Sequence, residues 1–204
     1  MTPELVEEIN NILSKGLTKG LGNPIPGQMC VEAAMCYILG EPHSDKPSCV
    51  GEEVNKAKIV LNDCNWPSNE ARAQGMKYLM VAQYGSINLD QEEFKLKLKL
   101  NSTKRILPFL IQKHFERTKD NRLLEYKVKF ENLVELDDNL WKKFYSYNNN
   151  NNNNNYYYYH YNNNYNYYYY NYYKVEFLLL VSDTILQTLK QMDCEGCKWL
   201  HLVR

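Results

Sequence analysis

The segment from residue 148 to residue 173 consists only of Asn and Tyr, apart from His160. It contains 12 of the 18 tyrosines of the chain and no aliphatic side chain, so it cannot supply an ordinary packed core. Polar and aromatic bias of this kind is typical of disorder with a tendency to β-association. The chain must build its core from the sequence on either side. We interpret the tract as an insertion and as a candidate surface for self-association.

Charge and hydropathy exclude several classes of protein. The 24 Lys and Arg residues balance 24 Asp and Glu residues, so net charge gives no argument for nucleic acid or an anionic membrane. The N-terminus is acidic and amphipathic, unlike a signal peptide, and no apolar run approaches the roughly 20 residues of a membrane helix. We expect a soluble, cytoplasmic protein without a membrane partner. In that reducing compartment its six cysteines are expected to be reduced thiols rather than disulfides.

Apolar spacing and capping residues predict a mainly α-helical fold. Thr2, Ser68 and Asp90 are suitable N-caps, and Gly16 is a suitable stop for the first helix. The segment 29–39 is apolar on all sides except at Glu32, which is typical of a central, buried helix. The predicted helices cover residues 3–15, 28–39, 51–61, 69–84, 91–107, 108–118 and 175–192.

Two segments alternate between apolar and charged residues, a pattern typical of strands. In residues 94–100 the cap at Asp90 favours a helix instead, and in residues 124–130 a short strand is one interpretation. We predict one bundle-like domain of about six helices. Residues 1–118 form its core, residues 119–174 a variable insertion that includes the tract, and residues 175–204 a C-terminal helix and tail that pack back on the core.

Glu32 is the most informative single residue, because a buried carboxylate must be paired, hydrogen-bonded or protonated. Its candidate partners are Arg72, His43 and backbone amides at a helix start. One interpretation is structural, with Glu32 tying two helices together. The other is a general acid/base or a metal ligand, beside His43 and either Asp45 or Asp63. The candidate polar cluster is therefore Glu32, His43, Asp63 and Arg72.

Cys194 and Cys197 form a CxxC motif, and His201 follows four residues later. Structural zinc sites need about four ligands, and the other cysteines are distant in sequence. A redox CxxC usually opens a helix after a strand, whereas this motif follows a helix and is expected in a tail. Cys194, Cys197 and His201 are therefore weak metal candidates, and we expect no cofactor.

A basic segment lies between Phe94 and Phe130. It contains eleven Lys and Arg residues against Glu116, Asp120 and Glu125, a local charge of about +8. It is either a surface for a phosphate backbone, within residues 95–129, or a solvated helix face balanced by acids elsewhere. Overall neutrality and the absence of a recognised nucleic-acid motif favour the second interpretation.

Several segments match one pattern as a set: MCVEAA (29–34), LGEPHSD (39–45), PSCV (47–50), LND (61–63), Trp66, SNEARA (68–73), VAQYGS (81–86) and GCKWL (196–200). Together they resemble a family of hypothetical proteins of bacteria and their phages, over about residues 20–118 and 175–200. The resemblance implies kinship and no established activity. It also implies that the tract is a tolerated insertion, often Ala/Tyr-rich and helical in relatives. Glu32, His43, Asp63 and Arg72 match the family's motifs, whereas Cys194 does not.

No motif identifies an enzyme, and three hypotheses about function remain. The first is a non-catalytic interaction or structural protein that self-associates through the tract. The second is a small-ligand binder or enzyme that uses the polar cluster around Glu32. The third, weaker hypothesis is nucleic-acid binding through residues 95–129.

Overall fold

The computed structural model describes residues 1–150 and 174–204. Within these ranges the chain is helical and has no β-strand, apart from an isolated bridge between Gly22 and Met29. The predicted fold class is therefore confirmed, with more helices than the six expected. The α-helices are α1 (Pro3–Leu13), α2 (Val31–Ile38), α3 (Glu52–Asn62), α4 (Asn69–Ala82), α5 (Gln91–Thr118), α6 (Leu124–Glu131), α7 (Asp138–Asn150) and α8 (Lys174–Gln191), and the 3₁₀ helices are Ser86–Asn88 and Glu195–Leu202.

The predicted N-caps are confirmed. The Thr2 hydroxyl accepts a hydrogen bond from the amide of Leu5 at 3.3 Å, and the Ser68 hydroxyl accepts one from Ala71 at 3.1 Å. Asp90 accepts one from the amide of Glu93 at 3.0 Å. Each cap satisfies an amide that the first helical turn leaves without a partner. These contacts fix where α1, α4 and α5 begin.

Two local predictions are wrong. Pro108 does not start a helix but lies inside α5, which continues to Thr118. Residues 124–130 are not a strand but belong to α6, where Tyr126 and Phe130 are buried one turn apart and Val128 is exposed. The alternating pattern was misleading, because it predicted that Val128 lies in the core. In a helix, residues four positions apart share a face, and Tyr126 and Phe130 therefore lie on the buried face.

Residues 1–99 and 178–204 form one compact unit, in which α2 is central. Val31 to Cys36 are all buried, as the apolar sequence predicts, although Tyr37 is half exposed. Helix α4 contributes a tight contact at Gly75, where an added Cβ would overlap the Trp66 ring. The hydroxyl of Ser182 in α8 donates a 2.6 Å hydrogen bond to the carbonyl oxygen of Gly75. This contact holds α8 against α4.

The described residues between 100 and 177 form the second compact unit, and the boundary between the two units lies within α5. The core of this unit is an aromatic cluster, in which Phe144 contacts the rings of Tyr126, Phe130 and Trp141 at centroid distances of 5.2–6.3 Å. Leu107 of α5 packs against the cluster. The second half of α5 thus contributes its apolar face to α6 and α7.

The Asn/Tyr tract is largely outside the described residues. Residues 148–150 continue α7, and residues 151–173 are not described, so the predictions of disorder, β-association and a helical template fall there. Among the helices that the structure describes, none has the length and apolar character that crossing a membrane requires.

Candidate functional site

Glu32 lies in the first turn of α2 and is completely buried, as expected, but its partner is Lys58 of α3. The Lys58 Nζ is 3.0 Å from Glu32 Oε1, and both side chains have zero exposure. None of the three predicted kinds of partner, Arg72, His43 or backbone amides, binds the carboxylate in the described structure. Sequence reasoning missed Lys58, although it shares one helical stripe with Val54 and Leu61, which are both buried.

Burial dominates the electrostatics of this pair. Removal from water raises the pKa of Glu32, and the positive charge of Lys58 opposes that rise. Burial lowers the pKa of Lys58, and the carboxylate of Glu32 opposes that shift. Each group is therefore the main compensation for the other's desolvation. The pair is an internal connection between α2 and α3.

Gln83, at the end of α4, is the third member of this buried polar group. It is fully buried, and its amide approaches the carboxylate closely enough to lower the pKa of Glu32. Its amide atoms form no well-aligned hydrogen bond within the described residues, and neither do the carboxylate oxygens of Glu32 or the Lys58 Nζ. The 3.0 Å ion pair is a charge contact rather than a well-aligned hydrogen bond.

Arg72 donates hydrogen bonds mainly to backbone carbonyl oxygens. Its Nε donates to the carbonyl oxygen of Asn62 at 2.8 Å, and its Nη1 donates to the carbonyl oxygen of Leu17 at 2.9 Å and to Asn69 Oδ1 at 2.8 Å. The side chain is almost completely buried. Arg72 thus ties the end of α3 and the loop after α1 to the start of α4.

Asp63 and His43 each hold a loop. Asp63 Oδ1 accepts hydrogen bonds from the amide of Gly20 at 2.8 Å and from Asn62 Nδ2 at 2.9 Å. His43 is exposed, and its Nε2 lies 3.1 Å from the carbonyl oxygen of Gly22. The Gly-rich loop that precedes α2 is therefore fixed at two points.

Asn62 connects these contacts, and sequence reasoning did not identify its role. Its Oδ1 accepts from the amide of Val31 at 3.2 Å, and its Nδ2 donates to the carbonyl oxygen of Thr18 at 3.0 Å. The backbone carbonyl oxygen of Asn62 also accepts the hydrogen bond from Arg72, so Asn62 joins α2, α3 and α4. The four predicted residues therefore do not share one site. Asp63 and Arg72 meet at Asn62, Glu32 pairs with Lys58, and His43 lies on the surface.

A small cavity lies beside Asn62 and has a volume of about 30 Å³. That volume holds one or two water molecules. Its lining is formed by Gly20, Leu21, Cys30, Val31, Asp45, Ile59, Asn62 and Asp63. It is far smaller than the roughly 300–1,000 Å³ of typical ligand pockets.

The weak metal candidates do not form a metal centre. No group of three or more His, Cys, Asp or Glu side chains within residues 1–150 and 174–204 is arranged to hold a metal ion. His201 is exposed, and its Nδ1 lies 3.0 Å from the carbonyl oxygen of Lys198. None of the six cysteines is in a disulfide. Cys194 and Cys197 were expected in an irregular tail. Instead, Cys194 is the N-cap of the second 3₁₀ helix, and Cys197 lies within that helix.

The basic segment is interleaved with acids. Ion pairs of 2.8–3.6 Å join its lysines to acids within one turn: Lys95 to Glu92, Lys97 to Glu93, Lys113 to Glu116, Lys127 to Glu131 and Lys129 to Glu125. Lys113 also contacts Glu176 at 3.2 Å, and Arg122 pairs with Asp120. Much of the local positive charge is therefore compensated by neighbouring acids.

No protein-family model matches the chain, and no curated protein or solved structure matches it either. The kinship with hypothetical proteins of bacteria and phages therefore stays a prediction from the sequence segments.

Proposed function

We propose that this chain is a non-catalytic interaction protein that self-associates through its Asn/Tyr tract. The observation that carries the proposal is the complete burial of Glu32 against Lys58. A general acid or base must come within about 2.6–3.2 Å of the reacting group, directly or through one water. A carboxylate with zero exposure and a lysine as its neighbour is better suited to holding α2 and α3 together.

The other cluster residues support the same interpretation. Arg72 and Asp63 are engaged with backbone groups of the loop between α1 and α2, and with Asn62 or its backbone. The adjacent cavity of about 30 Å³ has room for water and not for an organic substrate. The second hypothesis, a ligand binder or enzyme built on this cluster, is therefore less well supported.

The argument for self-association rests on the composition of the tract. Segments of Asn and Tyr combine many side-chain amides with aromatic rings, and stacked Asn ladders and aromatic rings stabilise contacts between chains. In the chain, residues 151–173 follow α7 and precede α8.

The test compares three proteins at concentrations from micromolar to hundreds of micromolar. They are the natural chain, a variant with residues 148–173 replaced by a Gly/Ser linker of equal length, and a variant with only the tyrosines of the tract changed to Ser. Sedimentation velocity gives the mass, and circular dichroism checks that helix content outside the tract is retained.

The proposal predicts that the natural chain gains mass with concentration, whereas the linker variant stays monomeric. The Tyr→Ser variant separates the aromatic contribution from that of Asn. A natural chain that stays monomeric throughout would refute self-association. Association of the linker variant with unchanged strength would place the interface elsewhere.

Nucleic-acid binding through residues 95–129 is the weaker alternative, because the ion pairs reduce the available positive charge. Binding of single- or double-stranded DNA or RNA that falls steeply with salt would favour it.

A further inference from the structure

Cys194 and Cys197 lie one turn apart at the start of the C-terminal 3₁₀ helix. The amide of Cys197 donates a 2.9 Å hydrogen bond to the carbonyl oxygen of Cys194, which closes a four-residue turn. Such turns bring the first and last Cα atoms within about 7 Å. Disulfides span Cα separations of about 4.4–6.8 Å. The hydrogen bond therefore brings the two Cα atoms close enough for a disulfide between these residues to be geometrically feasible.

The side chain of Cys194 is held at the start of the 3₁₀ helix. Cys194 is the N-cap residue, and its thiol donates a 3.5 Å hydrogen bond to the carbonyl oxygen of Tyr84. A cysteine at a helix start with a second one three residues later is the arrangement of reactive CxxC motifs. The motif therefore opens a short helix rather than lying in an irregular tail, although it follows α8 and not a strand.

The turn is held in place by its neighbours. The amide of Cys194 donates to the carbonyl oxygen of Leu189 at 3.1 Å, and the amide of Gly196 donates to the carbonyl oxygen of Tyr84 at 2.9 Å. A Cβ on Gly196 would overlap the carbonyl oxygen of Val81, so only glycine permits this approach. The two thiols are therefore presented by a fixed backbone rather than by a mobile end.

The two thiols differ in exposure, and this difference determines which one reacts first with an oxidant. Cys194 is 1% exposed, whereas Cys197 is only partly buried. An oxidant from solution reaches Cys197 first, and Cys194 then acts from within the protein.

We propose that Cys194 and Cys197 form a dithiol site that low-molecular-weight disulfides oxidise to an intramolecular disulfide. The Cys197 thiolate attacks one sulfur of the small disulfide, forms a mixed disulfide and releases the other half as a thiolate. The Cys194 thiolate then attacks the sulfur of Cys197 and releases the second half. Two protein thiols and one small disulfide thus give one protein disulfide and two small thiols. The protons lost by the cysteines go to the released thiolates, and the small disulfide takes up both electrons.

The environment sets the rate of this exchange. Burial raises the pKa of Cys194 to about 12 and the pKa of Cys197 to about 11. Lys190 lowers the pKa of Cys197, Asp193 raises it, and Glu195 raises that of Cys194. Only the thiolate attacks a disulfide. Exchange should therefore be slow at neutral pH and rise about tenfold per pH unit between pH 7 and 9.

The experiment incubates the full chain with glutathione disulfide and glutathione at several ratios, followed by acid quenching, alkylation and tryptic mapping. Cleavage after Lys190 and Lys198 releases one peptide that contains both cysteines, so its disulfide appears as the loss of two hydrogens and of both alkyl groups. Cys49 and Cys64, which are also partly buried, serve as internal controls for general thiol reactivity.

The proposal predicts that, at equilibrium, this peptide is oxidised at a lower ratio of glutathione disulfide to glutathione than the ratio at which Cys49 or Cys64 carries a glutathione adduct. In Cys194→Ser the reaction should stop at a glutathione adduct on Cys197, and in Cys197→Ser the buried Cys194 should remain unmodified over the same time. The proposal is overturned if the natural peptide keeps two alkylated thiols at ratios that oxidise Cys49 or Cys64. It is also overturned if the Cys194→Ser adduct does not accumulate. Mapping of the natural chain decides even if a variant fails to fold.

Discussion

The buried pair of Glu32 and Lys58 makes a quantitative prediction through a double-mutant cycle. Lys58→Met leaves Glu32 buried with no cation, and Glu32→Leu leaves Lys58 buried with no anion. The double variant removes both charges and leaves apolar groups of similar size. Because neither side chain has any exposure, solvent cannot relieve the charge that is left in either single variant.

In each single variant the remaining buried group can become neutral. The free energy of that change in protonation sets an upper limit on the loss of stability. At pH 7, protonating a carboxyl with an ordinary pKa of 4.5 costs about 3 kcal/mol, and deprotonating an amine with an ordinary pKa of 10.5 costs about 5 kcal/mol. These values agree with the roughly 3–5 kcal/mol measured when buried ion pairs are broken. The free energy of unfolding of the double variant is expected to lie within about 1–2 kcal/mol of that of the natural chain, or to exceed it.

The single variants should also respond to pH in opposite directions. In Lys58→Met, the folded pKa of Glu32 lies above its unfolded value, so the folded state binds more protons and the loss of stability shrinks as pH falls from 7 to 5. In Glu32→Leu, the folded pKa of Lys58 lies below its unfolded value, so the loss shrinks as pH rises from 7 to 9. Each slope approaches about 1.4 kcal/mol per pH unit.

The assay is urea denaturation at pH 5, 7 and 9 in a Trp141→Phe background. There the remaining tryptophans, Trp66 and Trp199, report on residues 1–99 and 178–204 alone. With a slope of about 2 kcal/mol per molar urea, a loss of 3 kcal/mol lowers the midpoint by about 1.5 M. The reasoning is refuted if the single losses simply add in the double variant, or if neither variant shows its pH slope.

Three further predictions concern packing, pH and the hydrogen bonds of Asn62. Gly75→Ala should destabilise the first unit by about 1–3 kcal/mol in thermal melts, because its Cβ would overlap Trp66; an unchanged melting temperature would contradict the contact. Burial lowers the pKa of His114, so the second unit should lose stability as pH falls below the ordinary value of 6.5, and His114→Gln should remove that dependence. Asn62→Ala should cost roughly 2–4 kcal/mol in urea denaturation, because it leaves the amide of Val31 and the carbonyl oxygen of Thr18 without their partner; the exposed Asn11→Ala is the matched control and should be near neutral.

Local features of the fold could be predicted from the sequence because their causes lie within a few residues. Thr2, Ser68 and Asp90 cap their helices through amides three residues away. The burial of α2 follows from its apolar residues alone. By contrast, Pro108 lies within a helix that continues on both sides of it, and the usual rule for proline gave the wrong boundary.

The candidate site could be predicted only in part, because its contacts join residues far apart in the chain. Sequence reasoning identified Glu32 as a buried acid in need of a partner, but assigned Lys58 no role. The spacing of Val54, Lys58 and Leu61 on one stripe was the observation that could have revealed the partner. The role of Asn62 depends on backbone groups of the loop before α2, whose positions no local pattern predicts.

We propose that the buried pair of Glu32 and Lys58 maintains the fold, whereas function lies in association through the tract. The most direct test measures self-association of the Glu32→Leu/Lys58→Met double variant by sedimentation velocity, beside the natural chain. We expect equal helix content and an unchanged association constant. A double variant that folds normally but no longer associates would contradict it, because the charged pair would then take part in the function itself.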